Sequence, residues 1–87
     1  MKIWFKLMKD HHIVKDTTIT DDSCDTRTHK IFRELEEACH QFDVGIPIWL
    51  DSTVREFQRF AKARFTQDSF VEELYADYLE IEVLEED

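Results

Sequence analysis

The sequence predicts one α+β domain, in which a three-stranded antiparallel sheet is covered on one face by two main helices, in the order β-β-α-α-β. Alternating apolar residues near both ends of the chain predict strands, and apolar residues at helical spacing between them predict helices. No repeat, linker or low-complexity tract divides the 87 residues, and this length is typical of a single small domain.

The first two strands are predicted over residues 3–8 and 13–20. In the first, Ile3, Phe5 and Leu7 face one way, while Trp4, Met8 and two lysines face the other. The second is rich in β-branched residues but has no clean apolar face. We therefore expect a half-exposed or edge strand that could carry a bulge.

The first helix is predicted to follow the polar loop at 21–28, where Asp25, Thr26 or Thr28 could cap it. Its apolar residues fall within an arc of about 120°: Ile31, Phe32, Leu35, Ala38, Cys39 and Phe42. Charged and polar residues on the opposite side are expected in solvent: Lys30, Arg33, Glu34, Glu36, Glu37 and His40. Gly45 and then Pro47 mark the expected end of this helix.

An apolar connector at 46–50 follows, and its length predicts that it packs beneath the helices. The second helix is predicted from residue 51, with Thr53 and Glu56 as a capping box. Five residues at helical spacing are expected to form its buried stripe, which would reach as far as Phe65: Val54, Phe57, Phe60, Ala61 and Phe65.

Arg64 would lie near that stripe if the second helix continues so far, so we expect a structural ion pair with Asp68 or Asp77. Another helical turn is predicted within 69–77. Its inward residues would be Phe70, Val71 and Leu74.

The last strand is predicted over 78–84. Lys2 and Lys6 lie on the outer face of the first strand, and Glu80 and Glu82 lie on the outer face of the last. Opposite charges across a strand pair stabilise it, so these two strands should be neighbours. The predicted strand order is therefore 2-1-3.

Composition excludes several function classes. The net charge of −9 disfavours binding to nucleic acid or to an anionic membrane. A single glycine excludes phosphate-binding loops, dinucleotide fingerprints and the G-x-S-x-G elbow. No apolar run approaches the roughly 20 residues of a membrane span. Two cysteines and no export signal predict a cytoplasmic protein with reduced thiols.

Candidate metal and thiol sites are incomplete. Asp21, Ser23 and Asp25 match the first three ligand positions of an EF-hand loop, but Thr26 and Phe32 stand where glycine and glutamate are required. Other possible ligands lack zinc-site spacing: His11, His12, Cys24, His29, Cys39 and His40. Acidic neighbours oppose a reactive Cys24 thiolate. We therefore expect no metal, no cofactor and no enzymatic activity.

The open face of the sheet is the main candidate interaction surface. Trp4, Met8, Tyr78 and Leu84 would stand on it between the charged pairs, and Trp, Tyr and Met are enriched at interfaces. The edge of the second strand offers another contact, by strand addition. The leading hypothesis is a protein-interaction module that forms a homodimer, or binds another protein, through the open face or the edge.

A basic group on the second helix supports an alternative function. Arg55, Arg59 and Lys62 lie at i, i+4 and i+7, within an arc of about 60° opposite the apolar stripe. They could dock an acidic partner or a phosphate backbone, as in a nucleic-acid-associated regulator. The acidic net charge favours a solvated face instead.

Four stretches carry a resemblance that runs the length of the chain: residues 25–30 (DTRTHK), 47–51 (PIWLD), 64–68 (RFTQD) and 77–87 (DYLEIEVLEED). Together they resemble a family of small uncharacterised bacterial proteins of gut Firmicutes. The resemblance implies a bacterial cytosolic origin and transfers no catalytic residue and no ligand.

Overall fold

A computed structural model describes residues 1–86 of the chain as a two-layer α+β fold. Its elements are β1 (Lys2–Lys9), β2 (His12–Thr20), α1 (Arg27–Phe42), α2 (Asp51–Phe60), β3 (Lys62–Thr66), a 3-10 turn (Gln67–Ser69) and β4 (Tyr78–Glu85). The predicted class is confirmed, but the sheet has four strands in the order β2-β1-β4-β3, with antiparallel neighbours throughout. Within the described residues, the helices are too short or too polar to cross a bilayer.

The β1–β2 hairpin has the predicted edge strand. Asp10 and His11 form its two-residue turn, and both have the positive φ that a type I′ turn requires at its central positions. The pairing register shifts between Leu7 and Met8, which places a bulge in β2. Met8 pairs with Tyr78 on the other side, so β1 is central to the sheet.

Helix α1 begins at the Thr26 cap, whose side chain accepts from the backbone N–H of His29. It ends at Asp43, a left-handed residue whose N–H bonds back to the helix. The prediction that Gly45 ends the helix is therefore wrong, and Gly45 does not have positive φ.

The buried face of α1 is rotated from the predicted one. Lys30 and Glu34, expected in solvent, are only 3% and 1% exposed, whereas Phe32, expected in the core, is 50% exposed. The centre of the stripe lies near Leu35 and Ala38, and at 100° per residue Glu34 is closer to that centre than Phe32 is. Packing against β1 and β2 thus buries one flank of the stripe and leaves the other open.

The largest correction concerns residues 61–66. Helix α2 ends at Phe60, because Ala61 turns into the left-handed region (φ 54°) and its N–H bonds to the carbonyl of Phe57. The following residues form β3, which pairs with β4 and buries Ala63 and Phe65 beneath α2. The predicted helix to residue 65 is therefore wrong.

Other expectations for this region also fail. The residue that caps α2 is Leu50, without a side-chain cap bond, so the Thr53–Glu56 capping box does not form. Phe60 and Val71, both expected in the core, are 63% and 88% exposed. Arg64 lies in β3 on the open face and pairs with a strand carboxylate instead of Asp68 or Asp77.

The core lies between the inner face of the sheet and the two helices. Its fully buried side chains come mainly from strands, with α1 as the main helical contributor: Ile3, Phe5, Leu7, Leu35, Phe65, Leu79 and Ile81. Helix α1 covers β1 and β2, and α2 covers β3. The opposite face of the sheet is left without a covering helix, as predicted.

Candidate interaction surfaces

The open face of the sheet is organised around one buried ion pair. Lys6 on β1 and Glu80 on β4 lie opposite each other, 2.7 Å apart, and are only 8% and 5% exposed. Arg64 Nε donates to the same carboxylate at 3.2 Å, and Lys62 lies 3.8 Å from it. The predicted pairing of Lys6 with the acidic residues of the last strand is confirmed, and β3 adds two further cations.

This arrangement sets the charge state of Glu80. Burial opposes its ionisation, but the hydrogen bonds from Lys6 and Arg64 outweigh that effect, so the pKa of Glu80 lies below its ordinary value. The carboxylate therefore stays charged near neutral pH and holds three strands of the sheet together.

Cations cover the aromatic residues of the open face. The Lys6 ammonium lies 4.1 Å from the centre of the Trp4 ring, and the Arg64 guanidinium lies 4.6 Å from the centre of the Tyr78 ring. Trp4 Nε1 also donates to Asp16 of β2 at 2.9 Å. The rings thus take part in a polar network within the sheet, and less of their apolar surface is free for a partner.

The four residues predicted to form an interface differ in how far their side chains are exposed. Trp4, Met8 and Tyr78 are half-buried on the open face, and Met8 lies directly opposite Tyr78. Leu84 is 44% exposed and lies where the β1–β4 register shifts, so no β1 residue faces it directly. Only Leu84 is therefore freely accessible.

The predicted basic ridge on α2 is not formed. Arg55 and Arg59 are exposed on the helix, but Lys62 lies in β3, beyond the helix end. Lys62 faces Glu82 across the strand pair, 3.7 Å away. The three residues do not share one helical face, which removes the geometric basis of the predicted docking site for phosphate.

The two edges of the sheet differ in accessibility. The β3 edge is only five residues long, and the N–H of Arg64 that points outward from it donates to Glu56 Oε1 of α2 at 3.0 Å. Short edge strands and covering groups disfavour strand addition. The β3 edge is therefore short and partly covered from within the chain.

The β2 edge is open. Met1 and Asp21 exchange both backbone hydrogen bonds, at 2.8 and 2.9 Å. Because such pairs alternate along an antiparallel ladder, Asp16, Thr18 and Thr20 direct their N–H and C=O groups away from β1. No group within residues 1–86 bonds to these outward backbone atoms. The strand has nine residues and is about 30 Å long.

No family model, curated protein or solved structure matches this chain.

The acidic loop before α1 binds an arginine of the same chain. Arg33 reaches Asp21 and Asp25, each at 2.7 Å, and donates to Ser23 Oγ at 3.0 Å. The backbone N–H of Thr26, followed by Arg33, lowers the pKa of Asp25 to about 2. The partial EF-hand pattern therefore forms an internal clamp on Arg33. No cluster of metal-binding side chains occurs in the part of the chain that the structure describes.

The two thiols lie in different environments, as expected. Cys24 is exposed in the loop, and Cys39 is buried in α1. Burial raises the pKa of Cys39 to about 12, which keeps it protonated.

Sequence reasoning missed an exposed apolar surface on the helical side. In the connector between α1 and α2, Pro47 is buried and Trp49 half-buried, but Ile46, Ile48 and Leu50 are 56%, 54% and 37% exposed. The expectation that the whole segment packs beneath the helices is therefore wrong. All five residues of the segment are apolar, so no alternation in the sequence marks which side faces solvent.

Proposed function

We propose that this chain is a cytoplasmic protein-interaction module that self-associates by pairing the edge of β2 with the β2 edge of a second copy. The observation that carries the proposal is the uncovered row of backbone donors and acceptors at Asp16, Thr18 and Thr20. Natural proteins usually shorten, charge or cover such an edge; the β3 edge is short and partly covered, whereas three outward residues of the longer β2 edge remain unbonded within residues 1–86.

A two-fold symmetric pairing has few acceptable registers. In an antiparallel strand pair, directly opposite side chains point to the same face of the sheet. The two-fold axis that relates the copies must therefore pass beside one residue, which pairs with the same residue of the second copy. A centre on Asp16 would place two carboxylates directly opposite each other, and a centre on Lys15 would do the same with two ammonium groups, which destabilises a strand pair.

The register centred on Thr18 avoids both repulsions. It places Thr18 opposite its own copy and Asp16 opposite Thr20 of the second copy, so all the outward backbone groups named above find partners. It also places Lys15 opposite Asp21 of the second copy, a pairing of opposite charges. Each backbone hydrogen bond would contribute about 0.5–1.5 kcal/mol. The second copy is therefore a complementary occupant of this edge.

Charge reversal at the central residue tests the register. Thr18→Lys and Thr18→Glu should each halve the particle mass of the wild-type protein, because like charges would face each other across the two-fold axis. An equimolar mixture of the two variants should restore the wild-type mass, with one copy of each in every strand pair. Native mass spectrometry or light scattering at about 0.15 M salt measures the mass, since the Debye length of about 8 Å screens the net negative charge.

Thr66→Lys is the matched control, because it makes the same change at an exposed position on the β3 edge and should leave the mass unchanged. Wild-type mass in Thr18→Lys would refute edge pairing. If Trp4→Glu alone then lowered the mass, the open face would be the contact instead.

A further inference from the structure

The connector between α1 and α2 presents a row of aliphatic side chains on the helical side of the molecule, next to β3 and not beside β2. We name Ile46, Ile48 and Leu50 the aliphatic ridge. All three are large, they occupy alternate positions, and each is more than a third exposed. Phe32, which is half exposed, adjoins the ridge through Trp49, whose ring centre lies 6.4 Å from that of Phe32.

The connector is held in place by its other side. The Trp49 ring packs edge-on against Phe65 of β3 and Phe57 of α2, with ring centres 4.8 and 5.5 Å apart. The N–H of Ile48 donates to the carbonyl of Ser69 at 2.7 Å. Because these contacts fix the inward residues, the ridge residues are directed outward and cannot turn into the core together.

The cavities beside the ridge do not enclose it. Ile46 borders a broad, open depression of about 650 Å³ beside charged residues of α1. A smaller cavity of about 230 Å³ lies between the helices, beside Phe32 and Trp49, and none of the three ridge residues lines it. The ridge itself projects into solvent, so its complement is another protein surface.

The exposed area suits a second copy. The ridge and Phe32 together leave on the order of 400 Å² of apolar surface in water. Two copies packed ridge to ridge would remove about twice that area, which is the apolar part expected of an interface near 1,200 Å² in total.

The charges beside the ridge bear on how two copies would be oriented. Glu36 and Glu37 flank its Ile46 end, where they line the same depression as Arg33. The Leu50 end precedes the N-terminus of α2, where Asp51 offsets the positive end of the helix dipole and Arg55 follows one turn later. In antiparallel packing, Glu37 of each copy would lie towards Arg55 of the other, which is a pairing of opposite charges.

We infer that the aliphatic ridge is a second self-association surface, in which Ile48 packs on its own copy and Ile46 packs on Leu50 of that copy. This contact lies on a different part of the molecule from the β2 edge and would join two edge-paired dimers. The smallest closed particle that uses both contacts in every copy contains four chains, and this tetramer is the assembly that we infer.

Ile48→Lys tests the ridge, because it places two ammonium groups at the centre of the apolar contact. The variant should halve the wild-type particle mass, and combining it with Thr18→Lys should give a monomer. Val71→Lys is the matched control: it makes a similar aliphatic-to-lysine change at an 88% exposed residue outside the ridge and should leave the mass unchanged. Circular dichroism confirms that each variant is folded.

The outcomes separate the two contacts. A monomeric Thr18→Lys variant together with wild-type mass in Ile48→Lys would overturn the ridge proposal and leave edge pairing intact. A monomeric Ile48→Lys variant together with wild-type mass in Thr18→Lys would overturn edge pairing and leave the ridge contact intact. If Thr18→Lys and the double variant have the same mass, the ridge contributes no contact and the inference is wrong.

Orientation is tested by charge exchange. Glu37→Lys and Arg55→Glu should each weaken the ridge contact in the Thr18→Lys background, and mixing the two variants should restore it, because each new charge then faces an opposite one. Restoration is expected only for antiparallel packing. Equal dissociation of the mixture and of the single variants would overturn that arrangement.

Discussion

Replacing Glu80 with glutamine removes the charge at the centre of the open face while preserving the size of the side chain. The carboxylate of Glu80 lies 2.7 Å from the Lys6 ammonium and accepts from Arg64 at 3.2 Å. After the substitution, the nearest carboxylate to Lys6 is that of Glu82, at 3.7 Å. Lys6 is only 8% exposed, so water cannot fully replace the lost partner.

We expect this substitution to lower the free energy of unfolding by about 2–3 kcal/mol, because a hydrogen bond to a charged group contributes about 1.5–3 kcal/mol and the glutamine keeps one acceptor oxygen. Glu85→Gln is the matched control on the same strand. Its ion pair with Lys2 is 4.0 Å long and the Glu85 side chain is 70% exposed, so the loss should stay below about 0.5 kcal/mol.

Urea unfolding monitored by tryptophan fluorescence measures the free energy of unfolding of both variants. In a thermal melt, each kcal/mol lost should lower the Tm by about 4–8 °C for a domain of this size. A double-mutant cycle with Lys6→Met should give a coupling energy of at least about 1 kcal/mol. If Glu80→Gln costs no more than Glu85→Gln, the buried network does not stabilise the sheet and the reasoning fails.

Three further predictions follow from local geometry. Ala61→Gly should raise the free energy of unfolding by about 0.5–1 kcal/mol, because glycine adopts a φ of 54° without steric cost; reduced stability in urea would contradict this. Arg33→Gln should raise the pKa of Asp25 part of the way from about 2 to its ordinary value. The depressed pKa stabilises the fold above about pH 4, and this contribution is lost as the pH falls toward 2, so the variant should lose less stability over that range; an unchanged NMR titration of Asp25 would refute the assignment. A thiol reagent should modify Cys24 in the folded protein and Cys39 only after unfolding, so two reactive thiols before unfolding would contradict the burial of Cys39.

Strong periodic patterns made much of the fold predictable. The alternation around Phe5 and Ile81 located the two central strands, and the charges of Lys6 and Glu80 identified them as neighbours. These signals are reliable because a half-buried strand must segregate its two faces.

The fourth strand could not be predicted in the same way. Phe57, Ala61 and Phe65 follow helical spacing, while Ala63 and Phe65 also fit the alternation of a strand. The deciding event is the left-handed turn at Ala61, which would usually carry glycine and so leaves no mark in the sequence. Tertiary pairing with β4 determines the outcome.

The candidate interaction surfaces could also be predicted only in part. The sequence pattern places Trp4 and Tyr78 on the open face, as the structure does, but the cation over Tyr78 comes from β3, for which the pattern predicts a helix. The uncovered β2 edge follows from its predicted edge position. The exposed side of the connector depends on how Trp49 packs between the helices, which periodicity does not encode.

The strand order has a consequence for synthesis. Strand β4 is made after all the elements that it joins, yet it lies between β1 and β3 at the middle of the sheet. While the ribosome adds about 5–20 residues per second, β1 has only β2 as a partner, and β3 has none. The sheet therefore closes only when residues 78–85 have left the exit tunnel. Until then β1 presents an unpaired edge in the nascent chain, although α1 can already cover the inner face of the hairpin.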